Sequence, residues 1–243
     1  LLDNWCQNNP SPTGVGWEPY PCSLRIVNWI KWHLSLGKLS KVHIESLAAQ
    51  TRHVSRMLEY HLLGNHLLAN AKALVFGGCF FEGVEAEKWL SSGLAILQEE
   101  LPEQILDDGG HFERSPMYHS IILEDLFDLI HLSSVYPGFI NERLVTKWRD
   151  YARQMLNWLI AMSHPDGDIS FFNDAALDIA LRPEKLIVYG KVLDVIPITH
   201  LFKFDRLSWL KSSGYVSVKY NNVKAILDLS PLGPDYSFGS WSC

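Results

Sequence analysis

The densest set of side chains able to move a proton or grip a polar ligand is Glu59-Tyr60-His61-Leu62-Leu63-Gly64-Asn65-His66-Leu67-Leu68-Ala69-Asn70. His61 and Asn65 are four residues apart, as are His66 and Asn70, so on a continuous helix each pair shares a face. Gly64 lets another element or a ligand approach the backbone closely. Buried amides and imidazoles cost free energy unless they are partnered. Taken singly, each fits a satisfied network between helices. Taken together, they favour a site.

A second group is Asp108-Gly109-Gly110-His111-Phe112-Glu113-Arg114-Ser115-Pro116-Met117-Tyr118-His119. Ser115-Pro116 is a helix start, with a side-chain cap followed by proline at the first helical position. Tyr118 and His119 then sit in the first turn, where the positive end of the helix dipole should favour tyrosinate. A phenol with a reference pKa near 10 would thereby become a better proton-transfer group; a tyrosine that merely packs at a helix start fits equally well. The third group runs from Ser163-His164-Pro165-Asp166-Gly167-Asp168 to Phe171-Phe172-Asn173-Asp174. It can line a cleft or form a capping loop, with capping the plainer role for Asp174. Trp17 and Tyr20, in a segment read as loop, offer flat faces for stacking on sugars, with Arg25 and Asn28 nearby in sequence. Trp29 and Trp32 read as core.

Several chemistries lack their signatures. There is no HExxH, no phosphate-binding glycine loop, no GxSxG and no dinucleotide fingerprint. A hydrolase working with two carboxylates stays open, because Asp107, Asp108, Glu113, Asp166 and Asp174 are available. The four cysteines (Cys6, Cys22, Cys79, Cys243) form no CxxC pair, so no metal site is expected. Isolated thiols with Cys79 buried, or a Cys6–Cys22 disulfide in an exported protein, both fit. Net charge is −6 with no basic run, which argues against a nucleic-acid partner. The longest nearly uncharged apolar run, Ala73 to Phe81, is far short of the ~20 residues of a membrane span.

The elements that must position these groups are mostly helices. In 243 residues, 47% apolar and 20% charged, the pattern reads as a globular chain of one domain or slightly more. Residues 1–21 read as loop. Helices are predicted from Ser23 to Gly37, from Ser40 to about Leu63, and from Asn65 to Phe76. Further helices follow over Glu85–Leu101, Ser115–Ser133, Ile140–Met162, Asn173–Ala180 and Lys185–Leu193. After Phe204 the period changes to two. Ser213–Tyr220 and Val223–Leu229 form a hairpin around Asn221-Asn222, and a hairpin alone is marginal. It must lean on the helical part or on further sequence. The fold class is therefore mainly α, with antiparallel helical hairpins over residues 1–204 and the first strands of a β domain over 205–243.

Three spaced segments carry a family resemblance: Trp17-Glu18-Pro19-Tyr20-Pro21 with Ser23-Leu24-Arg25-Ile26-Val27-Asn28-Trp29, the Glu59–Ala73 stretch, and Gly109–His119. With His164-Pro165-Asp166-Gly167 and Phe172-Asn173-Asp174-Ala175, they make residues 15–236 similar to the N-terminal domain of heparinase II/III-like proteins. The resemblance implies an incomplete (α/α) toroid followed by an antiparallel β-sandwich, with a polysaccharide cleft. It implies β-elimination at a uronic acid. Asn65, with His66, would bind the uronate carboxylate, and Tyr118 would be the general acid and the candidate base. His119 and Glu113 would support it, Arg52 and Asn173 would line the cleft, and Trp17, Tyr20, Arg25, His61 and Asp174 complete the substrate-binding candidates.

The expected partner is an anionic polysaccharide, with no nucleic acid and no membrane span. No cofactor is expected in this chain, although a divalent metal could serve the β-domain. A periplasmic or secreted location is favoured, although no signal peptide is visible. Family members continue after Gly233-Pro234-Asp235-Tyr236 into a Gly-His-x-His-Ala-Asp-like strand, whereas here Ser237 to Cys243 follow. The expectation is a truncated lyase. The alternative is a non-catalytic glycan-binding or polysaccharide-assembly protein that keeps the toroid.

Overall fold

The computed structural model describes residues 1–9, 12–35, 37–62, 64–196, 207–221 and 223–230. They belong to two compact units, residues 1–100 and 101–243. The expected boundary at 204/205 lies outside the described residues, as do Cys243 and the segment from Gly233 onward.

The first unit holds α1 (Leu2–Asn8), a 3-10 turn (Val15–Trp17), α2 (Pro19–Ser35), α3 (Lys41–Val54), α4 (Gly64–Phe80) and most of α5 (Val84–Gln104). α4 is apolar nearly all round and buried along its length, which makes it the centre of the unit. α2 and α3 pack against it. Close approach by α5 needs glycine: a Cβ on Gly78 would come within 2.6 Å of the Leu90 backbone, and one on Gly93 within 2.7 Å of the Ala71 carbonyl. Ser40 caps α3, accepting from the His43 backbone while the His43 ring accepts from Ser40 N–H.

Three expectations fail here. Residues 1–21 are not a loop, because α1 forms and Trp5 packs at 5.6 Å from Trp17 and 5.8 Å from Trp29. Ser23 does not cap α2. The helix starts four residues earlier at Pro19, since prolines in a first turn remove only N–H groups that lack helical partners anyway. α3 ends at Val54 rather than near Leu63, and residues 55–62 turn. The Glu59 N–H is there taken by the Asn70 amide oxygen at 2.9 Å instead of a carbonyl one turn back.

The second unit holds α6 (Pro116–Val135), α7 (Glu142–Ala161), α8 (Pro183–Val192) and an antiparallel sheet of β1 (Leu207–Leu210), β2 (Tyr215–Tyr220) and β3 (Val223–Asp228) in that order. α6 starts as expected, with the Ser115 hydroxyl accepting from Tyr118 N–H and Pro116 leading the helix. Asn173–Ala180 is not a helix. Asn173, Asp174 and Asp178 adopt positive φ of 47°, 59° and 63°, which an α-helix does not admit.

β1 adds a third strand to the expected hairpin, pairing Leu207–Leu210 with Val218–Tyr215. The sheet leans on the helical part. Tyr215 is fully buried against Trp158 of α7 and Phe172. Below them the Trp158 indole donates to Ser213 Oγ at 2.8 Å. Ser213 N–H and Oγ donate to Asp108 Oδ2 at 2.7 and 2.9 Å, while Asp108 Oδ1 accepts from Gly110 N–H at 3.0 Å. One carboxylate thus ties the sheet to the turn after α5.

Asp108→Ala should strand the fully buried Ser213 donors and cost about 2 kcal/mol or more of unfolding free energy, measured by urea titration. A loss below about 0.5 kcal/mol would mean that the sheet is held by its apolar contacts alone.

Candidate active site

In the first unit the candidate residues gather at the start of α4. Asn65 and His66 occupy its first turn, both half-buried. His66 Nδ1 lies 3.1 Å from Glu59 Oε1; a carboxylate can only accept, so Nδ1 carries the proton. Glu59 Oε2 accepts from the Asn70 amide at 2.9 Å, and that amide also donates to Ser23 Oγ at 3.1 Å. Tyr20 stacks on the imidazole with centroids 4.4 Å apart. Glu59 is buried, and its carboxylate, steadied by Asn70, holds His66 in one tautomer beside a flat aromatic face. Asn65 takes no part in this network. His61 is exposed in the 55–62 turn, so it and Asn65 do not share a helix face as the spacing predicted.

Other expected cleft residues of this unit are committed elsewhere. Trp17 is only 5% exposed and packs between Trp5 and His53, with its carbonyl accepting from His53 at 2.8 Å, so it offers no face for a sugar. Arg25 lies 3.9 Å over the Trp5 ring and donates to Gln50 Oε1 at 2.7 Å; burial, above all, weakens its hold on its proton. Arg52 forms a two-point pair with Glu85, both distances 2.6 Å, and that hydrogen bonding raises its pKa. The thiols of Cys6, Cys22 and Cys79 are free. Cys22 sits against Gln50 instead of Cys6, and burial pushes its thiol up to about 11.

In the second unit the candidates converge on Tyr118. Its phenol is hydrogen-bonded to Asp174, and burial, then the charges of Asp174 and Glu113, raise its pKa. This reverses the expected stabilisation of tyrosinate. Asn173 donates to the Arg114 carbonyl at 3.3 Å and to Tyr215 Oη at 3.0 Å, and Tyr215 donates to the same carbonyl at 2.9 Å. Arg114, Asn173 and Asp174 all have positive φ, a costly conformation that surrounding contacts must impose. Asn173 therefore fixes the loop that presents Asp174.

His119 lies behind Tyr118, away from any ligand-accessible surface. It is fully buried, stacked on Trp158 at 4.3 Å, with Nε2 donating to the Met155 carbonyl at 2.9 Å and Nδ1 accepting from His111 N–H at 3.2 Å. A ring with both nitrogens engaged and no exposed surface meets no substrate. It is a positioning residue that ties the first turn of α6 to α7. Asp108 and Asp166 are likewise occupied, Asp108 by Ser213 and Asp166 by the Asp168 N–H of its own turn.

Glu59 and Arg114 lie within the groups named from sequence but were given no role there, and Tyr215 was read only as part of a strand. Glu59 is the one carboxylate of its group, a usable signal. The other two act through partners 59 and 101 residues away, which no local pattern reveals. Among the described residues no three His, Cys, Asp or Glu side chains come together to hold a metal ion, and no helix is long and apolar enough to cross a membrane.

A family model described as the heparinase II/III N-terminus matches residues 1–204. A heparin-sulfate lyase of Bacteroides stercoris is 33% identical over 208 residues, covering 83% of this chain and 31% of its own length. A heparin-sulfate lyase of Bacteroides thetaiotaomicron is 26% identical over 193 residues, covering 72% and 27%. The chain thus spans less than a third of the length of these relatives. A solved structure described as heparinase III matches with a TM-score of 0.74 at 20% identity, over 93% of this chain and 40% of the other. That likeness shows the expected fold class, an incomplete (α/α) toroid followed by the first strands of an antiparallel β-sandwich.

Burial holds His111 and His119 neutral, each lowered to about 3. Between the unfolded value near 6.5 and that folded value the unfolded chain binds more protons, so stability is lost as pH falls through this window. By pH 5 each ring should have cost about 2 kcal/mol, over a range where ordinary carboxylates barely titrate. Urea unfolding at pH 7 and pH 5 measures it, and equal free energies would contradict the burial of two neutral imidazoles.

Proposed function

The chain belongs to the heparinase II/III family through its N-terminal domain, and from that premise we propose that it is the toroid part of a polysaccharide lyase acting on a heparin-sulfate-type, uronate-containing polymer. The observation that carries the proposal is the Tyr118 phenol, held protonated in a first helical turn beside Asp174 and Glu113.

Elimination at a uronate asks for three things. The carboxylate charge must be offset so that the adjacent C5 proton becomes removable, that proton must be taken, and the departing O4 must receive one. The Asn65 amide can donate to the carboxylate. His66, whose Nδ1 proton is fixed on Glu59, has only Nε2 left for a ligand. Tyr118 is a phenol at neutral pH and has a proton to give to O4. For it to act as base it must first lose that proton, and Asp174 is the acceptor already hydrogen-bonded to it. Tyr20, stacked on His66, offers a flat face beside that imidazole.

The test is ultraviolet absorbance of the unsaturated uronate product on heparin-, chondroitin-, hyaluronan- and alginate-type polymers. It compares the chain by itself with the chain joined to the remaining two-thirds of the Bacteroides stercoris relative. Elimination of the heparin-type polymer is expected in the joined form. There Tyr118→Phe should lower kcat by about 10²–10⁴-fold with binding retained, and Asn65→Ala by about 10²–10³-fold. Full activity of Tyr118→Phe would remove the tyrosine from the mechanism. Reducing ends released without absorbance would replace elimination by hydrolysis, and binding without turnover would leave a glycan-binding protein.

A further inference from the structure

Outside this site, the second unit sets two lysines side by side, with no ion pair to either among the described residues. β2 and β3 pair Lys219 directly with Lys224, and both side chains face the side of the sheet that packs on α7. Like charges directly opposite each other destabilise a sheet. Lys224 has a structural reason to be there: its ammonium donates to the Ile160 and Ser163 carbonyls at 3.0 and 2.6 Å, satisfying the C-terminal end of α7. Lys219 has none. It makes the arrangement worse, for burial, and after it the Lys219 charge, bring the Lys224 ammonium down to about 8.

These lysines border a cleft of about 190 Å³, far more than the roughly 10–15 Å³ that admits one water. His164 lines it from the turn after α7, and Ser208 and Ser217, paired across β1 and β2, line it from the sheet. Among the described residues no carboxylate does. The two acidic residues of the turn that carries His164 are engaged elsewhere, Asp166 with the Asp168 N–H and Asp168 with Arg182. A cleft walled by two ammonium groups, with an imidazole and two hydroxyls able to donate and no acid among its described lining residues, favours an anion.

We propose that this cleft binds a sulfate-class oxyanion, free or as an ester on a saccharide, through Lys219, Lys224 and the Ser208 and Ser217 hydroxyls. The anion would supply the counter-charge that the lysine pair lacks. The inference concerns anion binding alone and does not depend on the lyase reading.

Amide chemical shifts of the full chain test it, titrated with sodium sulfate against sodium chloride at matched ionic strength. A sulfated disaccharide and its desulfated counterpart form the second arm. Saturable shifts at Lys219, Lys224 and Ser217 with sulfate are expected, and Lys219→Gln should weaken binding about tenfold. Because that substitution relieves like-charge repulsion at an exposed side chain, it should leave the anion-free melting temperature equal or higher. Saturation by the sulfated but not the desulfated disaccharide would support the site and assign it to a sulfate ester; saturation by inorganic sulfate alone would support it as a free-anion site. Shifts that follow ionic strength only, an unchanged affinity in Lys219→Gln, or a lower anion-free melting temperature would overturn it.

Discussion

The backbone N–H groups of Glu59, His111 and Ser213, all outside the regular elements, are answered by side chains instead of backbone carbonyls: Asn70, His119 and Asp108 respectively. A buried donor left without a partner costs about 1–3 kcal/mol. Each answer therefore fixes a piece of irregular chain where helix or strand cannot. Glu59, once placed, orients His66. His111, once placed, sets the approach to the first turn of α6 and so to Tyr118. Ser213, once placed, brings Tyr215 onto Trp158, from where its hydroxyl reaches the Arg114 carbonyl. The candidate chemistry rests on these three substitutions of side chain for backbone.

The protonation of Tyr118 shows how competing effects are decided. A helix N-terminus favours an anion by about 0.3–1 kcal/mol, less than one pKa unit at 1.36 kcal/mol per unit. Partial burial opposes it, and so do two carboxylates, one of them hydrogen-bonded to the phenol. The sum runs toward the phenol. For a group that must deliver a proton to a departing oxygen this is the useful direction, since the form that gives the proton is the one that predominates.

Local signals were legible wherever the physics is local. Ser40 and Ser115-Pro116 start helices because a capping oxygen and a missing proline N–H act within one turn. α1, the end of α3 and the 173–180 segment were misread because distant partners decide them. Trp29 holds Trp5, Asn70 takes the Glu59 N–H, and Tyr215 with the Arg114 carbonyl draws Asn173 out of helical geometry. The site divides the same way. Tyr118, Asn65 and His66 stand in first turns, as their flanking sequence implied. The availability of Trp17, Arg25 and Arg52 depended on Trp5, Gln50 and Glu85, which spacing does not reveal.

The commitment of those two arginines bears on the chemistry proposed for the first unit. Arg25 is turned into an indole and Arg52 onto a glutamate, so neither supplies a free cation for a uronate carboxylate. What remains at the start of α4 is an amide and an imidazole of fixed tautomer. A full ion pair would stabilise the resting carboxylate strongly, and only interactions that strengthen on the way to the transition state accelerate elimination. The Asn65 amide is a donor of the kind that demand asks for. Its pull grows as negative charge builds on the carboxylate oxygens. An overall charge of −6 is then no obstacle to an anionic ligand, because recognition of this kind depends on where a few donors point and on the local potential.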